Sequence, residues 1–266
     1  MSKVTMVSLY TNFRNQRRTQ RHGRKISEHL KSFEDKGYDS PIIVAGYPKS
    51  GNTWLARVVA EAIGCPVLGF AGLREHDEIA MEGLERTSRS YVLKSHHTRD
   101  MLDLVCHPNL KILTIVRDPR DVAVSGKHYL FKGQNDAEGK MVGIMTHCAG
   151  GAGWDRRSWS EYVDQFLDPC MPMARYEDML EAPGESLQQL FREAQIPVDR
   201  ARIAAAIENQ SFEKARQRFE NENDPAKLQH MRQGRAGAYK KELSDENRLR
   251  LTRSLAPTMV DLNYLS

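Results

Sequence analysis

Two cationic turns carry the chemistry legible in this chain. Gly46 to Thr53, "GYPKSGNT", nearly matches the phosphate-binding pattern G-x-x-x-x-G-K-[ST], but Asn52 stands where the pattern has its lysine and Lys49 comes three places earlier. Such a loop surrounds an anion with backbone N–H groups and a helix N-terminus. In an NTPase the lysine after the second glycine reaches the β- and γ-phosphates. Asn52 is uncharged, so that contact is missing, and Lys49 is suited to the outer part of a shorter 5′ group. The second turn follows "KILTIV", where Arg117 occupies a position at which a metal carboxylate would serve, with Asp118 next to it. Two anion-binding features on adjacent strand ends suit a nucleotide with separate anionic groups at either end of its ribose. They suit a triphosphate poorly.

The surrounding pattern supplies elements to position these turns. "PIIVAG" reads as a buried parallel strand and "TWLARVVAEAIG" as a helix stopping at Gly64. "SYVLKSHH" and "LKILTIVRD" read as strands, and "PRDVAVSGKHYLF" as a helix with Pro119 near its start. A helix over "SWSEYVDQFL", a strand over "CMPMARY" and one or two helices over "EDMLEAPGESLQQLFREAQ" follow, then a mostly helical C-terminal part broken by "MRQGRAGAY". Alternating strands and helices predict an α/β fold, a mainly parallel sheet flanked by helices that binds ligands at the carboxyl ends of its strands. The glycine-rich "KGQNDAEGKMVGIMTHCAGGAGWDRR" is long and weakly periodic, which fits a lid over the site better than a core element.

The 266 residues, 40% hydrophobic and 28% charged, read as one soluble domain. The chain has neither a run apolar enough to cross a bilayer nor a secretory leader, and Cys65, Cys106, Cys148 and Cys170 match no zinc or redox spacing. A cytoplasmic protein with free thiols is expected, without nucleic-acid or membrane partners. The net charge of +4 hides a crowd of Arg14, Arg17, Arg18, Arg21, Arg24 and Lys25, which reads as a solvated, partly mobile arm.

Five ordered segments between Tyr47 and Lys240 resemble the cytosolic-type sulfotransferases that use 3′-phosphoadenosine 5′-phosphosulfate (PAPS). "YPKSGNTW" is similar to the family's 5′-phosphosulfate loop YPKSGTTW, with Asn52 the sole departure. "RDPRDVAVS" is similar to the 3′-phosphate motif R-N-P-x-D-x-x-V-S, "LKSHH" to K-[TS]-H, "RYEDML" to R-Y-E-D-L, and "MRQGRAGAYK" to R-K-G-x-x-G-D-W-K. In the last of these, Gln233 replaces lysine and Ala238-Tyr239 replace Asp-Trp.

The resemblance implies a P-loop-like fold, with residues 1–40 as a basic N-terminal segment and 41–266 as the sulfotransferase domain. It implies roles as well. Lys49 would stabilise charge on the oxygen between phosphate and sulfate. Ser50, Gly51, Asn52 and Thr53 would offer N–H and side-chain donors to the 5′-phosphate, and Trp54 would stack on adenine or, spaced helically from Val58, pack in the core. Arg117, Ser125, Arg232, Gln233 and Gly234 would hold the 3′-phosphate, with Asp121 ordering the turn. Tyr176 would meet the adenine edge; Phe212 either stacks opposite Trp54 or packs its helix. Glu177 and Asp178 would favour a helix N-terminus.

His96 would be the general base, since a hydroxyl acceptor is a poor nucleophile until its proton is taken. His97 would point to the opposite face by strand alternation, while Lys94, on the face of His96, would help hold the transferring group. His128, Tyr129 and Phe131 would shape the pocket of a small-molecule acceptor. The expected reaction moves a sulfuryl group from PAPS to a hydroxyl, or to an amine or amide nitrogen, releasing adenosine 3′,5′-bisphosphate (PAP) without a metal. Two rivals are a magnesium-dependent P-loop kinase with Asp118 as metal ligand, and a non-catalytic nucleotide- or nucleic-acid-binding module using the basic arm. The family's C-terminal dimer motif K-x-x-x-T-V-x-x-x-E is not matched by "KKELSDENRL", so oligomeric state is left open.

Overall fold

Five short apolar runs become five strands, β1 (Ser40–Ala45), β2 (Val67–Phe70), β3 (Ser90–Ser95), β4 (Lys111–Val116) and β5 (Met173–Arg175). They form one parallel sheet in the order β2-β3-β1-β4-β5. The computed structural model describes residues 3–73, 88–146, 157–221 and 234–265, with the side chains of the first helix described from residue 15 on. Its helices are α1 (Lys3–Glu34), α2 (Asn52–Ile63), α3 (Arg99–Leu102), α4 (Pro119–Leu130), α5 (Ala137–Met145), α6 (Trp159–Val163), α7 (Tyr176–Glu181), α8 (Pro183–Glu193), α9 (Arg200–Asn209) and α10 (Phe212–Asn221). Two more, Tyr239–Glu242 and Asp245–Asp261, close the chain.

A strand sends successive side chains to opposite faces, so both faces of a covered sheet must be apolar. In β1, Ile43 and Ala45 join one core with α1, α4, α5 and the C-terminal helix. Ile42 and Val44 join the other, with α2, α7, α8 and α9. β1 is central, with β3 on one side and β4 on the other, so the chain reverses its winding there. A crevice at the carboxyl ends of β1, β3 and β4 follows from that reversal.

Three expectations change. The basic N-terminal segment is a helix whose last turns belong to the core: Ile26, Leu30 and Phe33 are buried at helical spacing, and the Phe33 ring lies 4.8 Å from that of Tyr91. Arg17, Arg21, Arg24 and Lys25 stay exposed, and their density masks the apolar stripe between them. Packing therefore begins well before residue 41. The expected lid contains a core helix, because Met141, Val142 and Met145 of α5 are fully buried. A Cβ on Gly126 would meet the Met141 sulfur at 2.4 Å, so the glycine lets α5 approach α4 closely. Residues 147–156 of that stretch lie outside the described residues. Finally, β3 stops at Ser95, so His96 and His97 follow the strand instead of ending it.

Among the described residues, Cys65, Cys106 and Cys170 form no disulfide, and Cys148 lies outside them. Among the described residues, no helix is long and apolar enough to cross a membrane.

Candidate active site

β1 runs into the glycine-bearing loop, and close packing fixes what can stand there. A Cβ on Gly46 would sit 2.6 Å from the Ile115 carbonyl oxygen and within 3.0 Å of the Asn52 amide. Gly51, at φ 104°, caps α2, and a Cβ there would meet the Tyr176 ring at 2.7 Å. Neither position accepts a side chain. Lys49 adopts a left-handed φ of 72°. That conformation costs a non-glycine residue about 1–2 kcal/mol, and such strain clusters at functional sites.

The first turn of α2 has no side-chain cap and no acidic residue, so its N–H groups face the loop unanswered. Ser50 is fully buried, and its hydroxyl has no hydrogen-bond partner. Thr53 is exposed at the same helix start. Burial, with the charge of Arg117 added, lowers the Lys49 pKa to about 8. Its ammonium lies 3.7 Å from the Tyr129 ring centroid. Two cations and a bare helix N-terminus around buried polar atoms describe a site that favours an anion.

Arg117 links the loop to the C-terminal segment. One guanidinium nitrogen donates to the Lys49 carbonyl at 3.4 Å and another to the Arg235 carbonyl at 2.9 Å. Its guanidinium carbon lies 4.3 Å from the Tyr176 ring centroid, while its Nε is buried and unpartnered. Tyr176 in turn meets Trp54 edge-on at 5.6 Å. The Trp54 indole N–H donates to the Gln210 carbonyl at 3.2 Å, just before Phe212. A Cβ on Gly234 would lie 2.5 Å from the Phe212 ring, so these two pack together. The structure thus gathers Lys49, Ser50, Gly51, Trp54, Arg117, Tyr176, Phe212 and Gly234 around one crevice. Ser125 is half-buried on α4. Arg232 and Gln233 lie outside the described residues.

The two histidines diverge although no strand separates them. His96 Nδ1 donates to the Gly46 carbonyl at 2.8 Å, and its ring lies 5.7 Å from Phe70. A carbonyl oxygen only accepts, so Nδ1 carries the proton and Nε2 keeps a bare lone pair. Burial lowers the His96 pKa to about 4; the Gly46 bond opposes this, and Lys94 and Lys49 add to it. The Lys94 ammonium lies 4.2 Å from the same Phe70 ring, which brings it beside His96. Burial and then the charge of Arg57 lower the Lys94 pKa to about 8. His97 turns instead to Ser95 Oγ, 3.0 Å from its Nδ1, and to His22 of α1, 3.0 Å from its Nε2.

Carboxylates near the site are taken by neighbours. Asp118 caps α4 through the Arg120 N–H and pairs with the Arg120 side chain at 2.7 Å, which leaves little of it for a magnesium ion. Asp121, almost fully buried, accepts from the backbone of Gly237 at 2.6 Å and Tyr239 at 3.0 Å. Its carboxylate orders the C-terminal loop, where the resemblance had it order its own turn. Glu177 does more than favour a helix start: it accepts from the Asp118 N–H at 3.0 Å and the Tyr264 hydroxyl at 2.9 Å. Burial raises its pKa. Of the three expected pocket residues, Tyr129 faces Lys49, His128 pairs with Glu242 at 2.8 Å and Phe131 packs against the core.

Sequence reasoning missed the roles of Tyr129, His22 and Glu177. Each acts across a distance in sequence that no local spacing encodes. Asn52 carried a signal, as the one departure in its motif. Its amide nitrogen donates to the Gly46 and Ser95 carbonyls, both at 3.1 Å, so the expected side-chain donor to a phosphate is already engaged.

The family described as the sulfotransferase domain matches residues 39–263. Dog (Canis lupus familiaris) sulfotransferase 1B1 is 26% identical over 209 residues, covering 70% of this chain and 69% of that protein. Mouse (Mus musculus) sulfotransferase 6B1 is 28% identical over 158 residues, but that match covers 56% of this chain and 45% of the relative. Firefly (Photinus pyralis) luciferin sulfotransferase is 25% identical over 274 residues, 84% of this chain and 72% of that one. Among solved structures, mouse sulfotransferase SULT7A1 complexed with PAP superposes with a TM-score of 0.61 at 19% identity, covering 84% of this chain and 86% of that one. Retinol dehydratase in complex with androsterone and PAP superposes at 0.58 and 20% identity, covering 82% and 80%. The fold is shared at that distance, and with the domain match spanning nearly the whole sheet and its helices, the chain belongs to the sulfotransferase family and is a PAPS-dependent sulfotransferase.

Proposed function

We propose that this protein sulfates a hydroxyl, or an amine or amide nitrogen, of a small molecule, with His96 as general base. The observation that carries the reading is the Nδ1–H bond from His96 to the Gly46 carbonyl, which leaves Nε2 as a proton acceptor beside Lys49 and Lys94. Small-molecule acceptors fit the relatives, since retinol dehydratase has been solved with androsterone and with retinol.

The residues present fit PAPS. The unpartnered Ser50 hydroxyl, the unpartnered Arg117 Nε and the uncapped start of α2 are all donors in want of an anion. When bound, PAPS supplies the activated sulfuryl group. Lys49, Ser50, Gly51 and the backbone N–H groups of Asn52, Thr53 and Trp54 hold its 5′ end. Arg117, Ser125 and Gly234, with Arg232 and Gln233 by the resemblance, would hold its 3′-phosphate, and Trp54, Tyr176 and Phe212 would enclose adenine. His96 Nε2 would take the proton of the acceptor hydroxyl or nitrogen, and the Lys49 ammonium would stabilise negative charge on the oxygen between phosphate and sulfate. A base at about pKa 4 is weak, but the anionic cofactor raises it by favouring the imidazolium. No metal enters this scheme, and we place the enzyme in the cytoplasm.

The test incubates the enzyme with PAPS, or with ATP and magnesium, and a panel of phenols, alcohols and amines. PAPS-dependent, EDTA-resistant sulfation is expected, and His96→Ala lowers turnover by roughly 10²-fold with PAP affinity unchanged. Product formed only from ATP and magnesium would overturn the reading. If His96→Ala is fully active on the best acceptor, the base assignment falls.

A further inference from the structure

We propose that Asn52 is a positioning residue for His96, acting through the Gly46 carbonyl rather than as a side-chain ligand of the 5′-phosphosulfate. The inference rests on His96 as the general base. Position 52 is where the chain departs from its family's loop sequence, and the buried Asn52 amide there spans two strand ends. Its nitrogen donates to the carbonyls of Gly46, after β1, and Ser95, the last residue of β3. Because both partners only accept, the nitrogen must face them, and both its hydrogens are used. Its oxygen is buried and unpartnered, an acceptor that an approaching phosphate would meet unfavourably.

Both carbonyls border the base. The Gly46 carbonyl also accepts from His96 Nδ1 at 2.8 Å, and the Gly46 N–H donates to the Ser95 carbonyl at 3.3 Å. Asn52 therefore fixes the oxygen that selects the His96 tautomer, and it fixes the residue from which His96 departs. Threonine, the family's residue here, has one hydroxyl hydrogen and can serve only one of the two carbonyls. The glycine at 46 is part of the device, since a Cβ would collide with the Asn52 amide at 2.9 Å.

The test compares full-length wild type, Asn52→Ala, Asn52→Thr and His96→Ala by three readouts: turnover, PAP affinity by calorimetry, and the His96 tautomer by nitrogen-15 NMR, assigned with the His96 variant. Asn52→Ala is expected to lower kcat about tenfold, because the Gly46 carbonyl that orients His96 loses its own anchor, and to mix the two His96 tautomers. PAP affinity stays within about threefold of wild type. A tenfold or greater loss of PAP affinity with kcat and tautomer unchanged would overturn the proposal and make Asn52 a phosphate ligand. Should Asn52→Ala not fold, Asn52→Thr decides by the same readouts: partial loss of kcat with a mixed tautomer supports positioning, and unchanged kcat with a single tautomer overturns it. Failure of the base reading is seen separately, as full activity in His96→Ala.

Discussion

Acidification should destabilise this protein through His97, and the size of the effect follows from its surroundings. The ring is half-buried between α1, β3 and α6, with His22 and Arg18 facing it from α1 and His96 beside it in the chain. The Tyr162 hydroxyl of α6 donates to its carbonyl at 3.0 Å. Burial is the main cause that lowers its pKa to about 4, and the neighbouring positive charges add to it. Unfolded, the ring titrates near its ordinary value of about 6.5. Between these values the unfolded chain binds more protons than the folded one, so stability falls as pH falls. At pH 5 the two-state proton linkage gives a loss of about 2 kcal/mol from this ring alone. Glu61 and Glu177 act with the opposite sign, because burial raises their pKa values and their protonation in acid favours the fold. Glu138, lowered to about 2, keeps nearly all of its stabilising effect down to pH 5 and loses only about 0.2 kcal/mol between pH 7 and pH 5. The total slope therefore mixes signs, and the informative quantity is the difference from a variant. His97→Asn keeps a polar group near Ser95 and does not titrate. Urea unfolding at pH 7 and pH 5 should show wild type losing about 2 kcal/mol more than the variant. Equal losses would mean that His97 titrates alike folded and unfolded, and the half-buried link to His22 would be refuted.

Three further outcomes follow from the crevice. The kcat/KM for PAPS should fall above about pH 8, where Lys49 and Lys94 of the free enzyme lose their charge, whereas kcat holds to higher pH because bound anions raise both values; pH–rate profiles check this, and coincident basic limbs would count against Lys49 as the contact. Arg117→Ala should weaken PAP by about 1.5–3 kcal/mol while barely changing adenosine 5′-phosphate, measured by calorimetry, since a charge-assisted bond to the 3′ group is lost. Asp121→Ala should release the backbone of Gly237 and Tyr239 and weaken PAP about tenfold, again with little effect on adenosine 5′-phosphate; equal weakening of both would place the loop away from the 3′ group.

The fold was legible because its signals are local. Parallel strands buried on both faces leave mainly apolar runs such as "PIIVA" and "ILTIV", and each is followed by a helix start. Gly64 and Pro119 mark helix ends by their own backbone preferences. Where the reading went astray, composition outweighed period. Six basic residues hid the Ile26–Leu30–Phe33 stripe of α1, and flanking glycines hid the Met141–Val142–Met145 face of α5. In the site, residues carried by an ordered motif could be named in advance, and the structure brings Lys49, Gly51, Trp54, Arg117, Tyr176, Phe212 and Gly234 together. Pairs that no motif carries could not. Tyr129 reaches Lys49 over 80 positions, and His22 reaches His97 over 75. Such pairs exist only once the sheet order is known.

The position of the lysine can now be given a physical account. A lysine after the second glycine would sit where Asn52 stands, in a buried pocket lined by the carbonyls of Gly46 and Ser95. Its ammonium would be drawn to those carbonyls and would leave no neutral acceptor oxygen for the His96 N–H without a charge at its side. Moving the cation to position 49 places it on the left-handed apex of the loop, over Tyr129 and opposite Arg117, on the open side of the helix start. On the proposed reading, a neutral donor at 52 serves the base and a charge at 49 serves the leaving group. Proton acceptance and charge stabilisation would then be separated by three residues of one loop, the first set from the buried Asn52 amide and the second from the half-buried Lys49 ammonium.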